Sequence, residues 1–391
     1  MSRLAEGPVA APTTRAVVAP LHFVLFYHSV VSDWNNGNAH FLRGIVRDLT
    51  TRGHHVTVYE PRNGWSIQNL EAEMGPAVEH DFQRQFPDIQ YVRYNPELLQ
   101  LDEVLDTADV VIVHEWNDHS LVADIGQHHR FNPGYTLLFH DTHHRSVTDP
   151  AAMASYDLSE YDGVLAFGTL VRDIYLANGW TQRAWTIHEA ADVTLFYPRT
   201  TAAAPEKDIL WIGNWGDEER TAELHEYFFE PVRQLGLSGT AHGVRYPAEA
   251  LAVLDQCHID YRGWLPNAHV PETAATHRLM IHVPRRPYVA SLPGIPTIRP
   301  FEAMACGIPL VSSYWNDTEN LFTEGRDYLM ARTPDEMKRN IRLLLNDEGA
   351  RQELASHALR TVCAKHTCSH RVDELLQIVE ELAPTTKLRK N

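Results

Sequence analysis

Two apolar rhythms alternate along the chain. Short apolar runs rich in β-branched and aromatic residues recur: HFVLFYH (22–28), DVVIVHEW (109–116), YTLLFHD (135–141), GVLAFG (163–168) and AWTIHE (184–189). They are too short for buried helices and are nearly continuous in hydrophobicity, which predicts strands covered on both faces. After the first run, Leu42, Ile45, Val46 and Leu49 fall on one helical stripe. Gly53 then stands where a helix end takes a left-handed residue, and residues 56–59 read as the next strand. Strand, helix, strand in this spacing is a βαβ unit, the unit of parallel sheets.

The rhythm breaks at FYPRTTAAAPEKD (196–208), rich in proline and small residues, and then resumes. DILWIGNW (208–215), IDYRGWLP (259–266), RLMIHVPRR (278–286) and PLVSS (309–313) predict strands with exit loops, ERTAELHEYFFEPVRQLGL (219–237) one long helix, and residues 334–382 helices to the end. The expected architecture is α/β: two doubly wound, Rossmann-like domains facing across a cleft. We place a flexible leader at 1–20, a first domain at 21–198, a linker at 199–207 and a second domain at 208–391, with the last helix packing back on the first domain.

Composition narrows the partners. The formal net charge of −17 disfavours nonspecific binding to nucleic acid or anionic membrane, although a local basic pocket stays compatible with it. No run of apolar residues is long enough to span a bilayer. The four cysteines form no CxxC or zinc-type pairing, and the reading is a reduced, cytoplasmic protein.

The most pointed stretch is PTIRPFEAMACGIPLVSS (296–313). Pro300 suits a first helical position, which puts Glu302 in the first turn of a short helix ending at Gly307. The free N–H groups of such a helix start suit a phosphate, and the carboxylate suits ribose hydroxyls. The competing reading is that Glu302 caps its own helix, although the residue three back is Arg299 where a capping box wants Ser or Thr. No GxGxxG follows the first strand, which disfavours a Rossmann dehydrogenase.

FEAMACGIPLVSS resembles the C-terminal nucleotide-sugar motif of GT-B glycosyltransferases of the retaining group-1 type. TIRPFEAMACG is more closely similar to the CgeB-like branch, with its R-x-F-E…ACG pattern. The resemblance extends more weakly to GNAHFLRGIVRDLTTRGHHVTVYEP and to EAADVTLFYP. It implies a glycosyltransferase that moves a hexose or pentose from a nucleoside-diphosphate sugar to an unidentified acceptor. By resemblance Glu302 holds the donor ribose, while Thr297, Ile298 and Arg299 hold the diphosphate. Arg262 and Trp264 approach the base. Many relatives carry a second glutamate eight residues before the first, where this chain has Gly294, so the sugar contact there falls to backbone N–H groups. Similar enzymes also end a strand in Gly-Arg with a lysine six residues on. Here Gly213 is followed by Asn214 and, six residues later, Arg220, which becomes the expected phosphate cation with help from Arg285, Arg286 or Arg299. A surface arginine paired with Glu218, Glu219 or Glu223 is the alternative.

His140 resembles the family histidine near donor sugar and acceptor, with Asp141 as its partner. Gly37, Asn38 and His114 fall on the acceptor side, His114 being followed by Glu115. His140, Asp141, His143 and His144 have the donors of a metal site, but no helix brings them together, and the expectation is a metal-independent enzyme without a cofactor. A nucleotide-sugar epimerase or hydrolase on the same fold, and a catalytically silent sugar-nucleotide-binding protein, are the rival readings.

Overall fold

The computed structural model describes residues 19–200, 205–216 and 218–383. The expected leader lies almost wholly outside them. Among the described residues, thirteen strands form two parallel sheets. The first sheet is built from β1 (His22–Phe26), β2 (His55–Pro61), β3 (Tyr91–Tyr94), β4 (Val110–His114), β5 (Thr136–Asp141), β6 (Gly163–Ala166) and β7 (Ala184–Thr186), in the order β3-β2-β1-β4-β5-β6-β7. The second holds β8 (Lys207–Ile212), β9 (Gly239–His242), β10 (Ile259–Tyr261), β11 (His277–His282), β12 (Leu310–Ser313) and β13 (Leu329–Ala331), in the order β10-β9-β8-β11-β12-β13.

Period-two geometry explains why these runs are apolar throughout. Along β1, Phe23 and Leu25 enter one core while Val24 and Phe26 enter the core on the opposite face. In β8, Leu210 and Ile212 face one core and Ile209 and Trp211 the other. Each buried aliphatic or aromatic side chain contributes about 1.5–3 kcal/mol of transfer free energy, so two cores per sheet are ample to order both domains. Strands β3, β9 and β13 are short and escape the hydrophobic pattern. The stretch 219–237 is not one regular helix: a π-helical turn, His225–Phe229, separates Thr221–Leu224 from Glu230–Leu235.

The C-terminal helix Cys368–Leu382 returns to the first domain. Its Cys368, Val372, Leu375, Ile378 and Val379 complete the core that also holds Leu42 and Val46 of the helix Asn38–Thr51. Gly44 makes this possible: a Cβ there would lie 2.4 Å from Cys368 Sγ and 2.8 Å from Asp192 Cβ.

Polar clasps join the domains beside the cleft. Asp33 accepts from Arg43 Nη1 at 2.9 Å on its own side, and from Trp264 Nε1 at 3.1 Å and the Asn267 amide at 3.0 Å on the other. Glu319 of the second domain accepts from the Thr169 amide at 2.8 Å and pairs with His188 Nε2 at 2.7 Å. In each sheet the chain changes direction beside its first strand, and the loops at the carboxyl ends of the strands open there into a cleft, the usual ligand position in such sheets.

Candidate active site

The loop after β1 is fixed from both sides. Buried Glu60 accepts the amides of Val30 at 2.6 Å and Val31 at 2.9 Å, and Arg43 donates to the carbonyls of the same two residues. This holds Asn35, Gly37 and Asn38 over the second domain, where Asn35 is hydrogen-bonded to Asn214. After β5, Asp141 accepts the His143 amide at 3.0 Å and the Tyr175 hydroxyl at 2.9 Å, turning Thr142, His143 and His144 into the cleft. The cleft has a volume of about 820 Å³. It continues into a recess of about 240 Å³ against the second domain; Asn214, Arg285, Thr297 and Ile298 line both.

The recess is rich in positive charge and free amides. Arg220 is buried and lines it. Its Nη1 donates to the Val283 carbonyl at 3.1 Å, and its Nη2 to the Asn214 carbonyl at 2.7 Å and side-chain oxygen at 2.9 Å. Its Nε is buried with no partner. No carboxylate bonds it among the described residues: Glu219 is taken by Arg285 at 2.7 Å and Glu223 by Arg286 at 3.0 Å. Burial first, then the neighbouring Arg285, pushes its pKa down to about 9, so it stays charged at neutral pH. A buried cation without a counter-ion is costly and is offset by a bound anion.

Beside it begins the helix Ile298–Ala305. Its first N–H groups have no intrahelical acceptor, and the partial positive charge there suits an anion. Thr297 precedes it with φ 61 and ψ −178, a region almost reserved for glycine and costing about 1–3 kcal/mol. Strain at a ligand-lining helix start is a mark of a functional site.

The structure therefore assembles Gly213, Asn214, Arg220, Trp264, Arg285, Thr297, Ile298 and Arg299 around the recess, and Gly37 and Asn38 at the cleft. Other expected residues lie elsewhere. The helix starts at Ile298, two residues earlier than Pro300 implied, so Glu302 falls beyond the first turn. It is wholly buried, accepts from His40 Nδ1 at 2.9 Å and is paired with Arg299. His40 Nε2 accepts the Asp192 amide, which assigns the Nδ1 proton to Glu302. Gly294 has φ +96, and a Cβ there would meet Glu319 Cγ and Thr318 Oγ1 at 2.8 Å, so packing by that loop accounts for the glycine. Arg262 is exposed and pairs with Asp260 at 2.8 Å, outside the cleft. Its neighbour Trp264 is both recess wall and interdomain clasp.

His140 is turned away from the cleft. It bonds the Tyr27 hydroxyl at 2.6 Å, borders a small apolar cavity with Arg371 and Leu375, and is pushed down to about pKa 4 by burial. Asp141 is fully buried under Tyr175, and burial lifts its pKa to about 6. His114 stacks on Tyr27 at 4.6 Å and bonds Thr142 at 2.9 Å. Glu115 holds Arg145 at 2.6 Å, and that guanidinium lies 4.3 Å from the ring of Trp116, an exposed indole on the cleft wall. These residues shape the wall from behind. His143 and His144, expected at this strand end only as candidate metal donors, line the cleft, and with them stand Tyr288, Trp116 and Glu189, to which sequence reasoning gave no role. For the histidines the signal was present, since they follow the strand end directly.

Comparisons with known proteins bear on the fold. Residues 220–377 match a family model described as glycosyl transferase-like. A glycosyltransferase from Rickettsia africae superposes with a TM-score of 0.66 at 12% identity, covering 94% of this chain and 100% of that one. HepE from Anabaena, in complex with UDP-glucose, gives 0.64 at 12% identity, covering 92% and 100%. Sucrose-phosphate synthase from Thermosynechococcus elongatus gives 0.64 at 15% identity, covering 93% and 99%. No curated protein matches the chain. The fold is that of the GT-B glycosyltransferases, two Rossmann-like parallel-sheet domains. The family match and the fold together support a sugar transferase. No helix among the described residues is long and apolar enough to cross a membrane.

Proposed function

We propose that the protein is a glycosyltransferase that binds a nucleoside-diphosphate sugar in the recess of its second domain and passes the sugar to an acceptor hydroxyl in the wider cleft. The buried, uncompensated Arg220 carries this reading. It stands beside Arg285 and a strained helix start, where a diphosphate would collect charge-assisted hydrogen bonds. As the bond from sugar to phosphate breaks, negative charge grows on the leaving diphosphate, and these fixed donors stabilise it without reorganising. The complexes of structurally similar enzymes with UDP-glucose and UDP make a uridine donor the first to test. Retention of anomeric configuration, a hexose or pentose as cargo, and the place in the CgeB-like branch are what the resemblance of the motif at 297–307 implies. Glu302 would reach ribose only where Arg299 or His40 yields one of its oxygens.

Comparing Arg220→Ala with Arg220→Lys tests the reading. Loss of charged hydrogen bonds of about 1.5–3 kcal/mol corresponds to roughly a tenfold to hundredfold weaker UDP affinity in Ala, with partial recovery in Lys and a parallel fall in turnover. Folded variants that both keep parental affinity and turnover would overturn it. Binding of a donor without transfer to any acceptor would favour the silent binding protein.

A further inference from the structure

Glu189 lies just beyond the last strand of the first sheet, in the stretch HEAA. It is 4% exposed and lines the cleft, near enough to Glu302 and Arg299 of the recess helix to feel both charges, which puts it on the side of the cleft toward the recess. Its Oε2 is buried without a hydrogen-bond partner. Arg299, the cation whose charge it feels, is engaged with Glu302, and Arg285 of the cleft wall with Glu219. On its own segment, His188 turns to Glu319, and Asp192 takes Arg47 at 2.8 Å. The other groups that face it are Tyr288 and, around the cleft, His143, His144 and Glu219. A buried carboxyl next to the carboxylate of Glu302, with no cation bonded to it, favours its neutral form.

A neutral carboxyl carries one O–H donor and one carbonyl acceptor, the complement of two neighbouring hydroxyls. An acid is a poor neighbour for phosphate, and the cations of the recess already serve that group. What adjoins the phosphate on that side of the cleft is the sugar. Resting on the donor reading above, we propose that Glu189 binds the sugar of the donor, from the first domain, through paired hydrogen bonds to hydroxyls of an uncharged sugar.

Burial foremost, then the charge of Glu302, against a smaller opposing effect of Arg299, raises the Glu189 pKa from 4.5 to about 8. Between those values the folded protein keeps a proton that the unfolded chain has lost. The stability present below pH 4.5 therefore declines as pH rises to about 8 and then levels. Glu189→Gln cannot ionise and escapes this decline.

The test compares parent, Glu189→Ala and Glu189→Gln. Calorimetry at pH 6.5 and 9.5 gives affinities for UDP, GDP, UDP-glucose, UDP-galactose, UDP-N-acetylglucosamine and GDP-mannose. In the parent, the best sugar nucleotide should gain over its bare diphosphate at pH 6.5 and lose about tenfold of that gain at pH 9.5. Glu189→Ala should lose the gain at both pH values with diphosphate affinity intact, and Glu189→Gln should flatten the pH dependence. The melting temperature of Glu189→Gln relative to the parent should rise from pH 5 to pH 8 and then level. If the parent binds no nucleotide, the donor reading fails and this inference with it. If the parent binds sugar nucleotides and Glu189→Ala keeps the gain, or the pH dependence persists in Glu189→Gln, the inference alone is overturned.

Discussion

Glu302 sits between a histidine of the other domain and an arginine one turn back, with no exposure to solvent. Changing it to glutamine keeps an acceptor for His40 Nδ1 but leaves Arg299 without its carboxylate. The expected outcome is a loss of about 1.5–3 kcal/mol of unfolding free energy, the range for hydrogen bonds to charged groups, read by urea denaturation. Unchanged stability with weakened nucleotide affinity would make Glu302 a ligand group and not a clasp. The same scale separates His140 from His143. They are three residues apart, but His140 is still on the strand and its side chain points behind the sheet, whereas His143 belongs to the exit loop and reaches the cleft. The sequence names the strand end; which histidine turns outward depends on where pairing stops. Arg220 was named only through the resemblance, six residues after Asn214, and its burial was not legible, because that depends on Asn214 and the Val283 carbonyl closing over it.

At the scale of elements, the contact between the helix Asn38–Thr51 and the C-terminal helix turns on Gly44. Gly44→Ala places a methyl group within 2.4 Å of Cys368 Sγ and 2.8 Å of Asp192 Cβ. Overpacking of this kind costs about 1–3 kcal/mol. Lower stability by that amount, with faster hydrogen exchange concentrated in Cys368–Leu382, is the expected result. Parental exchange in that helix would show that it docks without the close approach. Most strands were readable because burial on both faces forces continuous apolar runs. The edges β3 and β13 and the short β9 carry weaker patterns: Gly239, Thr240 and His242 offer little hydrophobicity, and only pairing with β8 and β10 makes them a strand. The start of the helix Ile298–Ala305 was misplaced because Pro300 suits a first turn generally, while the actual start is set by the positive φ of Thr297.

In the molecule as a whole, the two domains meet through Asp33, His40, Asn35 and Glu319, and the cleft lies between these clasps. Arg220, Arg285 and the helix start at Ile298 bring positive charge to the recess, where the proposed function puts a leaving diphosphate. On the proposed function, turnover should persist in EDTA, since fixed donors would supply the transition-state stabilisation; complete loss, restored by manganese or magnesium, would refute this. Hydrophobic alternation determined by itself that the chain builds two parallel sheets, because strand burial is a local pattern repeated along the sequence. The resemblance of the motif at 297–307 drew attention to Arg220 and Thr297–Arg299, which the structure brings together around the recess. Only the tertiary structure decided that Glu302 is a buried clasp, that Gly294 makes room for Glu319, and that Glu189 faces the cleft without a partner. Those facts depend on which side chains of one domain meet the other, and a carboxylate's charge and role are set by the neighbours that burial gives it.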